Sequence, residues 1–270
     1  MKLGVIGAGN MAGAIAKGVI SAGTIAAQDI IISDIDSGKA AEYTALGATF
    51  TANNADIFGG TDIWILAVKP TIYPIVLKEA AEFAASNDMA SKLIITIAAG
   101  ITIAAVKSYF SKEVKVIRTM PNTPAIVGEG MTVLSYESPV SEQDYTAAQG
   151  IFSAIGKTAQ IPEKLMNAAV ALNGSSPAYV YMFIEAMADA AVAGGVPRAL
   201  AVEAAAQTVL GAAKMVLETG IHPGALKDMV CTPGGTTIAA VKSLEQTGFR
   251  GSVMAAMEAC SNRAEEMGKL

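Results

Sequence analysis

The sequence has few of the residues that stabilise small secreted domains or mark nucleic-acid partners. Its 270 residues include only 2 Cys, too few for a disulfide framework or a zinc site, so no metal is expected. Charged residues are only 16%, and 24 Asp and Glu against 19 Lys and Arg give a net charge of −5. No basic block occurs, which argues against nucleic acid or an anionic membrane as a partner.

A convincing membrane span is also missing, although 52% of the residues are hydrophobic. Residues 93–106 are too short to cross a bilayer. Residues 165–184 are long enough, but residues 173–177 would place polar groups and a proline at mid-bilayer. Met1 and Lys2 lead directly into an apolar run that does not resemble a signal peptide. We therefore expect a soluble, cytoplasmic protein that buries its apolar surplus against a second copy.

Short apolar runs alternate with helical patterns up to residue 161. The predicted strands are 3–6, 30–33, 63–68, 93–97 and 114–118, with 131–134 and 158–161 as further strands at the edge. The predicted helices between them are 11–21, 37–46, 72–85 and 103–110. This alternation indicates βαβ units and a mostly parallel sheet that is buried on both faces. Residues 1–161 are thus predicted to form a doubly wound, Rossmann-type α/β domain.

The pattern becomes entirely helical after Pro162. The predicted helices are 163–193, 198–219, 224–229, 237–246 and 252–267. They are rich in alanine and glycine and apolar around most of their circumference, which implies burial on more than one side. Residues 162–270 are therefore predicted to form an all-α dimerisation domain, and a purely intramolecular bundle is the alternative.

The first strand is followed by a glycine-rich turn at residues 7–12, with the pattern G-x-G-x-x-A. Gly7 permits a tight turn, Gly9 lets the backbone approach a pyrophosphate, and Ala12 lets the helix pack closely on the strand. Because the motif lies between a predicted strand and a predicted helix, it indicates a dinucleotide site.

The preference between NAD and NADP stays open on the residues alone. The second strand ends at Ser33 and Asp34, and an acidic residue there favours NAD by bonding the ribose 2′-hydroxyl. Alternatively, Asp34 points to solvent while Ser33 and Lys39 accept a 2′-phosphate.

Small residues follow two further strands, at residues 67–70 and 98–100. The carboxyl ends of parallel strands bind ligands in doubly wound folds, so these segments are predicted to leave room for a ribose and nicotinamide. Lys69, taken alone, reads as a solvated lysine. The rigid turn at 121–124 either lines the same crevice or is only a turn.

A second glycine loop, rich in hydroxyls, lies at residues 230–238 and leads into a predicted helix. Free N–H groups and the helix dipole there suit a small anion such as a carboxylate, although an ordinary capped helix start has the same pattern. His222 is the only histidine, and a lone histidine in a loop more often has a structural role than a catalytic one.

These motifs together resemble pyrroline-5-carboxylate reductases. The resemblance rests on residues 7–12, 67–70, 120–124 and 174–179, and above all on the specific stretch from His222 to Thr237. It covers essentially the whole chain in order. It implies an N-terminal Rossmann domain and a helical domain that interlocks with a second subunit. Dimers of this family often assemble further into decamers, and the sequence leaves the assembly beyond the dimer open.

The resemblance also implies roles for individual residues. Cofactor binding, to NADPH or NADH, is implied for Ile6, Gly7, Ala8, Gly9, Asn10, Met11, Ser33, Asn54, Ala67, Val68, Lys69, Pro70, Ala98, Ala99 and Met229. Substrate binding is implied for Thr232, Gly234, Gly235, Thr236, Thr237 and Glu163. The hydroxyl of Thr237 is the implied catalytic group, placed at the ring nitrogen.

The implied reaction is reduction of 1-pyrroline-5-carboxylate to L-proline by NAD(P)H, the last step of proline biosynthesis. A β-hydroxyacid dehydrogenase is the alternative enzyme, but its lysine has no counterpart after Gly174, where the next basic residue is Arg198. A non-catalytic NAD(P)-binding scaffold is the other alternative, and it has no need of the loop at 232–237.

Overall fold

An eight-stranded sheet forms the centre of the N-terminal half in the computed structural model, which describes residues 1–268. Its strands are β1 (Leu3–Ile6), β2 (Ile30–Ser33), β3 (Thr49–Thr51), β4 (Ile63–Leu66), β5 (Leu93–Thr96), β6 (Lys115–Met120), β7 (Gly130–Tyr136) and β8 (Gly156–Gln160). The order across the sheet is β3-β2-β1-β4-β5-β6-β7-β8. Only β6 and β7 pair antiparallel; the other neighbours are parallel.

The central strands are apolar because the sheet is covered on both faces. β1, β4 and β5 are buried at every position, as expected for parallel strands between helices. Successive side chains point to opposite faces, so Val5 joins one apolar cluster with Ile15 and Phe152. Ile6 joins a second cluster with Trp64. The fold thus has one core on each side of the sheet.

The helices connect these strands and then continue alone. They are α1 (Asn10–Ser21), α2 (Ala40–Ala45), α3 (Asn54–Gly60), α4 (Tyr73–Ser86), α5 (Ile103–Lys107), α6 (Glu142–Ser153), α7 (Met166–Ala169), α8 (Ser176–Ala193), α9 (Arg198–Thr219), α10 (Pro223–Val230), α11 (Thr236–Gln246) and α12 (Phe249–Met267). The predicted fold class is confirmed.

Individual elements differ from the prediction in places. β1, β2 and α9 match residue for residue, and the other predicted strands are displaced by a few residues. β3, α3 and α6 were not predicted. The single helix predicted at 163–193 is wrong, because a π-helical turn at Val170–Gly174 separates α7 from α8. Buried Asn173 donates to the carbonyl oxygens of Met120 and Met131 there, which ties the widened turn to the sheet.

The chain divides into two compact units. The sheet unit comprises Met1–Ser175 and the residues from Ala259 onward, and the helical unit comprises Ser176–Glu258. Residues 163–175, which the sequence analysis assigned to the helical domain, group with the sheet here. The domain boundary at residue 162 itself stays a prediction, and residues 269 and 270 of that domain lie outside the described residues.

The strand order places a crevice at the carboxyl ends of the central strands, between β1 and β4. From β1 the chain moves to β2 and β3 on one side, and then crosses back to β4, β5 and β6 on the other. In doubly wound folds, ligands bind at the carboxyl ends of the strands where this reversal occurs. The turns that follow β1, β2 and β4 therefore surround the expected ligand site.

Candidate active site

The turn after β1 requires glycine at Gly7 for a reason internal to the protein. Gly7 has φ +101°, and a Cβ built on it would lie 2.8 Å from the carbonyl oxygen of Ala67. A Cβ built on Gly9 meets no protein atom within 4 Å. Since Gly9 also has an ordinary φ of −85°, no contact within residues 1–268 requires glycine there. The dinucleotide fingerprint attributes glycine at this position to the close approach of a ligand to the backbone, and that role stays a prediction.

The first turn of α1 is suited to an anion. Gly9 is the N-cap residue, and no side chain caps the helix. The first-turn N–H groups of Asn10 and Met11 therefore have no side-chain cap, and the positive end of the helix dipole lies beside them. These residues fit the pyrophosphate of a dinucleotide.

The segment after β2 carries a fixed carboxylate. Asp34 accepts hydrogen bonds at Oδ2 from the Ala8 amide (2.8 Å) and from Lys39 Nζ (2.9 Å). Its Oδ1 accepts from the Asp36 amide at 2.9 Å. Desolvation alone raises the pKa of the Asp34 carboxyl, but these bonds outweigh it and hold the pKa below its usual range. The Ala8 N–H is thus bonded to Asp34 within the protein.

A chain of polar side chains continues from β2. The buried hydroxyl of Ser33 donates to Asn54 Oδ1 at 2.7 Å. Asn54 Nδ2 in turn donates to Glu79 Oε2 at 2.7 Å. Asn54 begins α3 and Glu79 lies on α4, so the chain joins three elements whose order along the sequence does not suggest contact.

These groups line one cavity of about 380 Å³ at the carboxyl end of the sheet. Eight of the predicted cofactor residues lie on its wall: Ile6, Gly7, Gly9, Ser33, Asn54, Ala67, Val68 and Lys69. The apolar wall formed by Ile35, Ile72 and Ile75 was not predicted, and neither was Glu79. Ile35, two residues after the end of β2, is 96% exposed, and a large aliphatic residue at that position was the available signal.

The remaining predicted cofactor residues lie elsewhere. Ala8, Asn10, Met11, Pro70, Ala98 and Ala99 do not line the cavity. Met229 lies on α10 in the helical unit, where it is mostly exposed. The turn at 121–124 does not line the cavity either, because Asn122 bonds to the Asn173 carbonyl and the Met131 amide. The roles of these residues stay predictions.

The strand ends that would border a nicotinamide are held by a buried tyrosine. The Tyr73 hydroxyl donates to the Leu66 carbonyl at 2.7 Å and lies 2.8 Å from Thr96 Oγ1. Thr119 on β6 bonds to the Thr96 carbonyl at 3.1 Å. Burial raises the pKa of Tyr73 far above its ordinary value, so the phenol stays protonated. This network fixes the spacing of β4 and β5 where residues 67–70 and 98–99 begin.

The second glycine loop, in the helical unit, forms a tight turn before α11. The Gly235 amide donates to the Thr232 carbonyl at 3.0 Å, and Gly234 has φ +69°. Pro233 followed by glycine at positive φ is the pattern of a type II turn. A Cβ built on Gly235 would lie 2.2 Å from Thr232 Oγ1. The positive φ of Gly234 favours glycine, and a side chain at Gly235 would displace the Thr232 hydroxyl.

This loop leaves donors for a ligand. Gly235 is the N-cap residue of α11 and no side chain caps the helix. Within the described residues, the hydroxyls of Thr232, Thr236 and Thr237 have no hydrogen-bond partner in the protein, and Thr237 is half-buried. Uncapped amides and free hydroxyls at one turn suit a carboxylate.

Two other candidates have partners already. Glu163 forms an ion pair with buried Arg118 (3.4 Å), and its Oε1 also accepts from the Ile103 amide at 2.7 Å. Its predicted role with substrate stays a prediction. His222 caps α10, because its Nδ1 accepts from the Gly224 amide at 3.1 Å. The structural interpretation of this histidine is confirmed.

The helical unit exposes an unusual amount of apolar surface. α8 and α9 pack through Ala188, Ala201 and Ala205, and other apolar side chains remain exposed: Val180, Tyr181, Met182, Phe183, Leu200, Val202, Leu210, Met215, Val216 and Leu217. By length and composition alone, α9 is one described helix that could cross a membrane. Extended apolar patches on helices also mark protein interfaces.

Comparison with known proteins accounts for both units. Residues 163–267 match the family model described as pyrroline-5-carboxylate reductase dimerisation. Residues 2–100 match the one described as NADP oxidoreductase, coenzyme F420-dependent. The first match contains the exposed helices, and the second contains the glycine turn.

Full-length relatives and a solved structure are similar to the whole chain. The pyrroline-5-carboxylate reductase of Escherichia coli (strain K12) is 45% identical over 99% of this chain and 98% of the relative. That of Methanosarcina acetivorans is 44% identical, with coverage of 99% and 98%. The crystal structure of the Plasmodium falciparum pyrroline carboxylate reductase with NADP bound has a TM-score of 0.90 at 34% identity, covering 99% of this chain and 98% of that one.

Proposed function

The chain belongs to the pyrroline-5-carboxylate reductase family, and from this premise we propose how its own residues carry out the reaction. The reaction is the reduction of 1-pyrroline-5-carboxylate to L-proline by NAD(P)H, the last step of proline biosynthesis. The observation that supports it most directly is that one chain carries two unlike loops: a dinucleotide-type turn at Gly7–Gly9 and a carboxylate-type loop before α11.

The sheet unit holds the cofactor. The α1 N-terminus takes the pyrophosphate, Ser33 and Asn54 lie at the adenosine side, and residues 67–70 with Ala98 and Ala99 border the nicotinamide side. Ile35, Ile72 and Ile75 add an apolar wall for the adenine ring. The bound nicotinamide supplies a hydride. What the protein contributes on this side is a fixed position, which the Tyr73 network maintains.

The loop before α11 holds the substrate carboxylate. The α11 amides and the hydroxyls of Thr232 and Thr236 donate to its oxygens, and Gly234 and Gly235 shape the turn. These donors are charge-assisted when they meet a carboxylate, which makes them stronger than bonds to a neutral group. Glu163 and Met229 stay weaker candidates for contact with substrate and cofactor respectively.

Thr237 acts at the ring nitrogen. A protonated cyclic imine is already an electrophile, so its carbon accepts the hydride and the C=N π pair becomes the nitrogen lone pair. The nitrogen keeps its proton and the product is a secondary amine. No strong acid on the protein is needed, and a hydroxyl that accepts from the ring N–H is sufficient to orient it. Catalysis then comes mainly from proximity and orientation.

The exposed faces of α8 and α9 are covered by a second copy of the chain. The matched dimerisation family supports this, as does the apolar composition of the exposed side chains. We expect a soluble, cytoplasmic homodimer, with dimers assembling into decamers. Light scattering on the purified protein tests this, and an active, well-folded monomer would contradict it.

Absorbance assays of NADH and NADPH oxidation with 1-pyrroline-5-carboxylate test the activity, with a hydroxyacid-derived aldehyde as the control substrate. In Thr237→Ala we expect kcat to fall about tenfold, since one hydrogen bond of about 1.4 kcal/mol is lost in the transition state. Cofactor affinity should stay close to the wild-type value.

Two variants serve as controls. Thr237→Ser should recover most of the turnover, and Thr146→Ala, on the exposed face of α6, should change nothing. Unchanged turnover in Thr237→Ala removes Thr237 from the mechanism. Turnover of the aldehyde alone would overturn the proposed function.

A further inference from the structure

The two nicotinamide cofactors differ only at the adenosine ribose, where NADPH carries a 2′-phosphate and NADH a hydroxyl. In a doubly wound fold, this ribose lies at the carboxyl end of the second strand. Here that position is occupied by Ser33 and Asp34. Ser33 is the last residue of β2 and lies opposite Ile6 of β1, and Asp34 follows it. The residues at this strand end therefore decide between the cofactors, a conclusion that rests on the proposed cofactor site.

The carboxylate of Asp34 is fixed and lies on the cavity wall. Three donors hold it: the Ala8 amide, the Asp36 amide and Lys39 Nζ, all at 2.8–2.9 Å. Its side chain is only 13% exposed. Two of the donors are the backbone amides of Ala8 and Asp36. The carboxylate therefore cannot rotate away without losing its hydrogen bonds to these amides.

The carboxylate stays negatively charged at neutral pH. Desolvation opposes ionisation, but the bonds from Asp36, Lys39 and Ala8 more than compensate and lower the pKa. The same ion pair raises the pKa of Lys39, so both partners remain charged. A group arriving at the ribose position thus meets a permanent acceptor of hydrogen bonds.

The groups that bind a 2′-phosphate in other sites are already bonded here. The Ser33 hydroxyl donates to Asn54, and the Asn54 amide donates to a second carboxylate, that of Glu79. Lys39, the cation on this side of the cavity, is paired with Asp34. The other cation on the cavity wall, Lys69, follows β4 on the opposite side of β1.

We infer that Asp34 makes this enzyme select NADH over NADPH. The carboxylate accepts a hydrogen bond from the ribose 2′-hydroxyl of NADH, whereas a 2′-phosphate places like charge against it. Like charges within hydrogen-bonding reach of each other near a protein surface repel by enough to reduce NADPH affinity at least about tenfold relative to NADH.

The test measures binding in the absence of substrate. Dissociation constants of NADH and NADPH are obtained from the fluorescence of the bound reduced nicotinamide, for the wild type, Asp34→Ser and Asp34→Asn. We expect the wild type to bind NADH at least about tenfold more tightly. Both variants should bring the two constants to within about threefold of each other, because the charge is removed.

Two further variants separate the contact from general charge. Asp36→Asn removes the same charge two residues away, from an exposed side chain that caps the next turn, and should leave the ratio nearly unchanged. In the double variant Asp34→Ser with Lys39→Met, part of the gain in NADPH affinity should be lost, since released Lys39 is the cation that would bind the phosphate.

The outcomes distinguish this inference from the proposed function. Equal or tighter binding of NADPH to the wild type, or the wild-type ratio in Asp34→Ser and Asp34→Asn, overturns the role of Asp34. If 1-pyrroline-5-carboxylate is still reduced, the proposed function stands. Selective binding of NADH without any turnover of that imine would leave Asp34 as the selecting residue and overturn the proposed function. Thermal unfolding of each variant shows whether it is folded.

Discussion

The two glycines of the turn after β1 should respond differently to substitution by alanine: stability should fall at Gly7, and cofactor affinity should fall at Gly9. Gly7 and Gly9 are two residues apart, and adding one methyl group to either changes no charge. At Gly7 the methyl carbon would lie 2.8 Å from the Ala67 carbonyl oxygen, 2.9 Å from its carbon and 3.0 Å from Val68 Cγ1. At Gly9 it meets no protein atom within 4 Å.

The cost at Gly7 has two parts. A non-glycine residue at φ +101° adopts a sparsely populated conformation that costs about 1–3 kcal/mol. Overpacking against a backbone carbonyl, which cannot rotate away as a side chain can, costs about 1–3 kcal/mol more. Gly7→Ala should therefore lose about 2–6 kcal/mol, which corresponds to a Tm lower by roughly 5–20 °C for a domain of this size.

Gly9→Ala should leave stability nearly unchanged. Its φ of −85° and ψ of −175° suit alanine. The reduced freedom of the unfolded chain stabilises by about 0.4–1 kcal/mol, and the poorer N-cap offsets part of this. Its effect should appear in binding instead, with NADH affinity reduced at least about tenfold because the methyl group occupies the path of the pyrophosphate.

Thermal unfolding without cofactor and NADH fluorescence titration measure the two effects separately. A Gly9→Ala variant that binds NADH like the wild type would refute the placement of the pyrophosphate at this turn. A Gly7→Ala variant as stable as the wild type would refute the contact with Ala67.

Two further predictions concern the ends of β4 and β5 and the glycine loop before α11. Tyr73→Phe should lower the free energy of unfolding by about 1–3 kcal/mol in urea titrations, because the Leu66 carbonyl and the Thr96 hydroxyl lose a buried partner; no change would show that the network does not stabilise the strand ends. Gly235→Ala should raise KM for 1-pyrroline-5-carboxylate, since its methyl carbon would displace Thr232 Oγ1, 2.2 Å away. Its NADH affinity should match the wild type, and a change in NADH affinity with constant KM would contradict the assignment of this loop.

The local sequence pattern was sufficient to predict those strands and helices whose own residues show a clear apolar run or helical period. β1, β2 and α9 were predicted residue for residue, because uninterrupted apolar runs and a long helix bounded by Pro197 and Gly220 need no distant partner to be recognised. β3 is a three-residue edge strand, and α3 ends in two glycines, so neither has enough periodicity to be identified.

The sequence by itself determined the alternation of strands and helices, the all-helical C-terminal half, the glycine turn and the family. Only the tertiary structure decided which partners the charged and polar groups of the proposed cofactor site bond to. Asp34 bonds to an amide 26 residues earlier, and Ser33, Asn54 and Glu79 form one chain across three elements. The physical reason is that hydrogen bonds at a strand end depend on which loops the sheet order brings together. Pairings between distant residues leave no periodic trace in the sequence.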